Sequence, residues 1–138
     1  MGFTYLKMAG IYLVVGVAMT LYLGSAQTLA LHPVHAHVNL LGWASLALTG
    51  LIYVQFPAAA KTRLARIHFW MHTLSLPAFV IALALLLTGR AAFAPAVEIA
   101  AAVTGLGIAL CVINICINVG ASLQDSPART LPAGAATR

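Results

Sequence analysis

The chain has 138 residues, 62% hydrophobic and 7% charged, with a formal net charge of +5 and a mean hydropathy of +1.01. An ordinary soluble domain carries about 25% charged residues, so the polar side chains here are too few to cover a water-facing surface. A 14.4 kDa protein has no interior large enough to hide the apolar remainder. The expected solvent is lipid.

A helix needs roughly 20 mostly apolar residues to cross hydrocarbon, and four such runs follow one another: about Met8 to Gly24, His35 to Phe56, His68 to Thr88 and Ala96 to Val119. They are apolar on consecutive positions rather than in short alternating segments, which excludes a β-barrel. The fold class is all-α and integral to a membrane, with one four-helix transmembrane domain over residues 1–124. The first run ends in Gly24-Ser25-Ala26, which has the small residues of a signal-peptidase site, but Lys7 is the only cation ahead of it, and we read a retained helix. With the N-terminus in the cytoplasm, Lys7, Lys61, Arg63, Arg66, Arg129 and Arg138 lie inside and only Arg90 lies outside. The positive-inside rule then places both termini on the cytoplasmic side of a bacterial inner membrane. The tail 125–138, with Pro127, Pro132 and Gly134, is expected to be disordered.

The scattered basic residues make no nucleic-acid surface. Glu98 and Asp125 are the only acids, which excludes paired-carboxylate catalysis, and no phosphate loop, G-x-S-x-G or H-E-x-x-H is present. Cys111 and Cys116 stand about 140° apart on a helix, so they are read as small hydrophobes and not as a disulfide. Histidine remains. Ionisable groups at membrane depth are functional candidates by default. His32, before Pro33, is expected to be solvated, with a metal-ligand role secondary. His68 and His72 share a helix face and follow three cations, which suits the headgroup level.

His35 and His37 are different, because apolar sequence follows them at once. Two residues on a helix subtend about 200°, so the pair cannot hold one ion and instead serves two sites flanking the helix. Neutral imidazole is the usual axial ligand of haem iron. The alternative is copper or another metal held in transit by His32, His35 and His37 without haem, against which Met19 is the only thioether near that depth. Folding the last two spans about Phe93 brings Asn114 level with His72 and Asn118 level with His68, with Gln55 near His68. That polar layer lies about 20 Å from the His35 level; it is read as interhelical hydrogen bonding first, and as a quinone or proton-entry site second. Arg90 stands where haem propionates would emerge, with Glu98 an equally available partner. Gly10, Gly16, Gly42, Gly50, Gly105 and Gly107 offer close helix approach, and Pro77 is expected to kink the third span.

The stretch Leu31 to Phe56, with Pro33-Val34-His35 leading a helix through Gly42, Gly50 and Tyr53, resembles helix II of subunit I of the haem-copper oxidases, the C-type cytochrome c oxidases above all. Lys61-Thr62-Arg63-Leu64-Ala65-Arg66 followed by His68-Phe69-Trp70 is similar to the opening of helix III there. The resemblance implies that His35 is an axial ligand of a low-spin haem b. The family's subunit comprises three arcs of four helices, with copper ligands and an H-x-H on later helices. This sequence has one arc, and His35-Ala36-His37 repeats the H-x-H on its second helix. Oxygen reduction by a single protomer is not implied. A homotrimer is, with His35 of one protomer and His37 of its neighbour closing a bis-histidine haem site. The implied work is electron transfer or diatomic-gas binding, compatible with an oxidoreductase, with a quinol or a cytochrome as electron partner.

The topology has a direct check: reporter fusions after Arg63 and Arg138 are expected to stay cytoplasmic and one at Gln27 to be exported, and an exported C-terminus would reverse the orientation.

Overall fold

The computed structural model describes residues 1–26 and 29–124. The tail expected to be disordered, 125–138, and the Gln27 connection lie outside the described residues. No strand occurs among the described residues, and four helical stretches are long and apolar enough to cross a membrane: Gly2–Gly24, Leu29–Gln55, Arg63–Leu87 and Ala91–Val119.

The first helix, α1, is Gly2–Ala26. After a 3-10 turn at Leu29–Leu31, the second span is assembled from α2 (His32–His37), a π-helical stretch (Val38–Ala44) and α3 (Ser45–Gln55). Pro33 stands in the first turn of α2, where its missing N–H leaves no bond unmade. A short helix, α4 (Pro57–Ala60), leads to α5 (Arg63–Leu87). A second 3-10 turn, Ala91–Phe93, leads to α6 (Ala94–Gln124). Helix α5 begins ahead of the apolar run at His68 because a side chain caps it. Thr62, in an extended conformation, accepts the Ala65 N–H at 3.0 Å and so caps α5.

At the far end of α5, Gly89 has φ +96°, a backbone region open to glycine without strain. Gly89 N–H donates to Leu86 O and Arg90 N–H to Leu85 O, each at 3.0 Å, the paired bonds of a Schellman turn. The turn between the third and fourth spans is therefore made at Gly89 and not about Phe93. The expected kink residue, Pro77, lies inside α5, which runs unbroken through it.

The exterior is apolar: Leu21 is 72% exposed and Ile99 67%. The interior is where polar groups collect, with Thr49, His68, His72, Ser75, Thr104 and Asn114 all buried. This inversion suits a chain whose surroundings are lipid.

Helix α1 lies tightly along the second span. A Cβ on Gly42 would meet the Tyr12 ring at 2.5 Å, and one on Gly50 would meet Leu6 Cγ at 2.9 Å. Gly16 is closed in the same way by Asn39, whereas Gly10 and Gly105 have open space around them. Helices α5 and α6 instead share a hydroxyl pair, Ser75 Oγ to Thr104 Oγ1 at 2.7 Å. Thr104 passes its own proton to Ala100 O at 2.8 Å, so Ser75 is the donor.

Because the Tyr12 ring occupies the place of a Gly42 side chain, Gly42→Ala is expected to lower stability by about 1–3 kcal/mol through overpacking. Gly10→Ala, with nothing near it, is expected to be neutral or to raise stability by up to about 1 kcal/mol from helix propensity. Unfolding in detergent, followed by circular dichroism, measures both.

Candidate functional site

Two groups of histidines occupy different parts of the molecule. At the start of the second span, His35 turns toward α1 and His37 toward α5, the two-sided arrangement that a two-residue spacing dictates. His35 Nε2 lies 2.8 Å from Thr20 Oγ1. Thr20 also donates to Gly16 O at 3.0 Å; with its one proton used there, His35 Nε2 is the donor. His37 Nδ1 lies 2.7 Å from Pro33 O, an atom that only accepts, so Nδ1 carries the proton and Nε2 is left basic. The ring stands edge-on to Phe79, with centroids 5.0 Å apart. His32 is exposed, as are Arg90 and Glu98. Among the described residues no three His, Cys, Asp or Glu converge as a metal site, so His32, His35 and His37 do not form one cluster.

The second group is interior. His72 is 0% exposed and His68 2%, so both are enclosed by the helices. His72 owes its position to the π-helical stretch. Ser45 N–H bonds Leu40 O, five residues back, and the ordinary four-residue ladder of α3 takes over after it. A ladder that steps from five back to four skips one carbonyl, here Leu41 O. His72 Nε2 reaches that atom at 2.9 Å. Since the carbonyl only accepts, Nε2 carries the proton and Nδ1 is bare, and Nδ1 is buried with no hydrogen-bond partner.

His68 stands edge-on to His72, centroids 5.3 Å apart, and stacks on Tyr5 at 5.5 Å. The Tyr5 hydroxyl lies 3.1 Å from Ala65 O and 2.9 Å from His68 Nδ1. Both bonds form when Tyr5 donates to the carbonyl and His68 Nδ1–H donates to Tyr5, which leaves His68 Nε2 bare. Tyr5 also packs edge-on to Tyr53 and Phe69, so one side chain of α1 ties the second and third spans together.

Asn114 makes a separate clamp. Its amide donates to Tyr53 OH at 2.9 Å and to Ala59 O at 3.0 Å. Its oxygen accepts from the Thr62 hydroxyl at 2.6 Å and from Asn118 Nδ2 at 3.0 Å. The residue that caps α5 is thereby fastened to α6, and α4 to both.

The expected polar layer is corrected by these contacts. With the turn at Gly89, the pairing of α5 with α6 shifts by roughly two helical turns. Asn114 stands opposite Thr62 and not His72, and Asn118 bonds Asn114 and not His68. Gln55 is exposed. Facing His68 and His72 is the Gly107 surface, where an added Cβ would lie 3.6 Å from His72 N and 3.8 Å from His68 Cδ2. The separation from the outer histidines shrinks as well. Leu41, the partner of His72, follows His35 by six residues, an axial rise of about 9 Å in place of the expected 20.

Tyr5 and Thr49 are residues that the sequence reading missed, while Cys111, read as a small hydrophobe, is buried as such. Cys111 Sγ approaches Thr49 Oγ1 at 3.6 Å and Tyr53 OH at 3.9 Å; both cysteines are free, Cys111 buried and Cys116 exposed. No protein-family model, curated protein or solved structure matches the chain.

Truncating the clamp separates structure from function. Asn114→Ala removes two donors and one acceptor from buried partners and is expected to cost about 2 kcal/mol, at roughly 0.6 kcal/mol or more per interhelical bond. Gln55→Ala, exposed, is expected to change stability by less than about 0.5 kcal/mol. The same detergent unfolding assay reads both.

Proposed function

We propose that this chain is a haem b-binding membrane protein, related to subunit I of the haem-copper oxidases, that works in electron transfer or diatomic-gas binding as a homotrimer. The observation that carries the reading is His37. A ligating histidine commonly donates its second ring N–H to a carbonyl, which fixes the tautomer and raises the basicity of the ligating nitrogen. His37 Nδ1–H on Pro33 O, with Nε2 bare beside Phe79, has that form.

His35 lies on the other side of the same helix and is half-buried, with Ala36 exposed between the two. A single chain therefore offers one imidazole to each of two flanking sites. Two chains supply a complete pair, His37 from one and His35 from the next, with His35 exchanging its Thr20 hydroxyl for the metal. Arg90, exposed at the same end, is the cation available to propionates. Haem held by such a pair would supply a one-electron couple at iron, and a gas would bind only where one imidazole gave up its place.

Purified protein is expected to show a Soret band and, when reduced, the sharp bands of a six-coordinate low-spin cytochrome with little carbon monoxide binding. His35→Ala and His37→Ala are each expected to empty every site, and co-expression of the two variants is expected to restore part of the haem through mixed trimers. A colourless protein overturns the cofactor. Assembled mixed oligomers without haem overturn the shared site.

A further inference from the structure

On one flank of α5 the surface passes from charge to hydrocarbon. Arg66, Trp70, Leu74 and Ala78 are spaced four residues apart and so form one inclined row on the helix. All four are exposed, Trp70 at 56% and Leu74 at 66%. From Arg66 to Ala78 the rise is about 18 Å, close to the hydrocarbon depth of one leaflet, about 15 Å. The row opens with a cation in the first turn of α5, passes an indole of the kind that settles at the edge of a bilayer, and continues as aliphatic surface.

Cavities follow the same row. Lys61 and Arg66 line a hollow of about 550 Å³ at the turn between α4 and α5. Arg66 and Trp70 line a second, of about 240 Å³, with Thr4 of α1. Trp70 in turn lines an apolar groove of about 650 Å³ between α5 and α6, where Ala78, Ala96 and Ala100 leave space between the larger Leu74 and Ile99. Each hollow shares a residue with the next. The protein does not balance the cations at the head of the row. Glu98 is the only acid among the described residues, and it lies sixteen residues along α6 from Asn114, the partner of Thr62, an axial distance of about 24 Å. An exposed guanidinium at the start of a membrane span, with an apolar groove below it, is complementary to a phosphate that carries an acyl chain. The planar Arg fork meets a phosphate through two parallel N–H bonds.

We propose that this row is the seat of one anionic phospholipid. Arg66 holds the phosphodiester, Lys61 adds a second positive charge in the adjoining hollow, Trp70 packs at the glycerol level, and one acyl chain lies in the groove between α5 and α6. A zwitterionic lipid fits less well, because its ammonium group would stand among Lys61, Arg63 and Arg66. The site uses none of the histidines, so it stands or falls apart from haem.

Tryptophan fluorescence reads the site directly, since the chain has two tryptophans, Trp43 and Trp70. Trp43→Phe leaves Trp70 as the sole emitter, and Trp70→Phe leaves Trp43 as a reference. Each full-length variant is placed in phosphatidylcholine nanodiscs, and phosphatidylglycerol or phosphatidylcholine brominated in both acyl chains is added in steps as a contact quencher. Trp70 is expected to reach half of its quenching at a mole fraction of brominated phosphatidylglycerol roughly fivefold below that of brominated phosphatidylcholine, the effect of one cation on an anionic lipid. Trp43 is expected to show no preference. In the Trp70 reporter, Arg66→Gln is expected to remove the preference by loss of the phosphate contact, and Ala78→Phe by filling the groove with every cation in place. Both positions are exposed, so both variants are expected to fold. Excess glycerol phosphate in the buffer is expected to leave the preference unchanged. Equal quenching of Trp70 by the two lipids overturns the proposal, as does an equal preference at Trp43. So does a preference that survives either substitution, which marks diffuse attraction to surface charge, or one abolished by glycerol phosphate, which marks a site for free phosphate. A Trp70 that neither lipid quenches overturns it too, because a second protein chain then covers the groove.

Discussion

A polar group on the apolar side of this molecule has no solvent to fall back on, and the skipped carbonyl of Leu41 is where that constraint is most acute. A π-helical stretch in an aqueous protein can leave its surplus carbonyl to water; in hydrocarbon an unmet backbone acceptor costs several kcal/mol. His72 meets it from α5 at 2.9 Å. The bond does three things at once. It holds the third span against the second at a fixed register, it sets the tautomer of a buried imidazole, and it transfers the unmet valence from the backbone to His72 Nδ1. The π-helical stretch supplies the carbonyl and the histidine supplies its donor.

The rest of the architecture gives two answers to the lack of a hydrophobic drive between helices in lipid. Between α1 and the second span the answer is close approach, with Gly42 beneath Tyr12 and Gly50 beneath Leu6. Between α5 and α6 it is paired hydroxyls, Ser75 with Thr104. Tyr5 and Asn114 then join the two hairpins. Asn114 bonds Tyr53 of α3 and Ala59 of α4, whereas Tyr5 bonds α5 and packs on Tyr53, so removing either releases partners on more than one element.

Much of this was legible in the sequence, for physical reasons. Span number follows from apolar length alone. The opposed directions of His35 and His37 follow from 100° per residue, and this held because the π-helical stretch begins only after His37. The polar layer was misplaced because its pivot was set at Phe93. The glycine at 89, followed by Arg90, carries the helix-stop signal that would have located the turn. The π-helical stretch itself leaves no mark, since Val38 to Ala44 is apolar on every side but Asn39 and has no amphipathic phase to break. Tyr5 escaped notice because it precedes the apolar run that defined the first span; the helix begins at Gly2 and carries it inward.

The outer and the interior histidines meet one segment of backbone. Asn39, at the head of the π-helical stretch, bonds His35 O with its side chain at 3.0 Å, and Leu41 at its middle accepts from His72. About 9 Å of helix separates the two levels, so the π-helical stretch that begins directly after His37 is also the element on which α5 is held through His72.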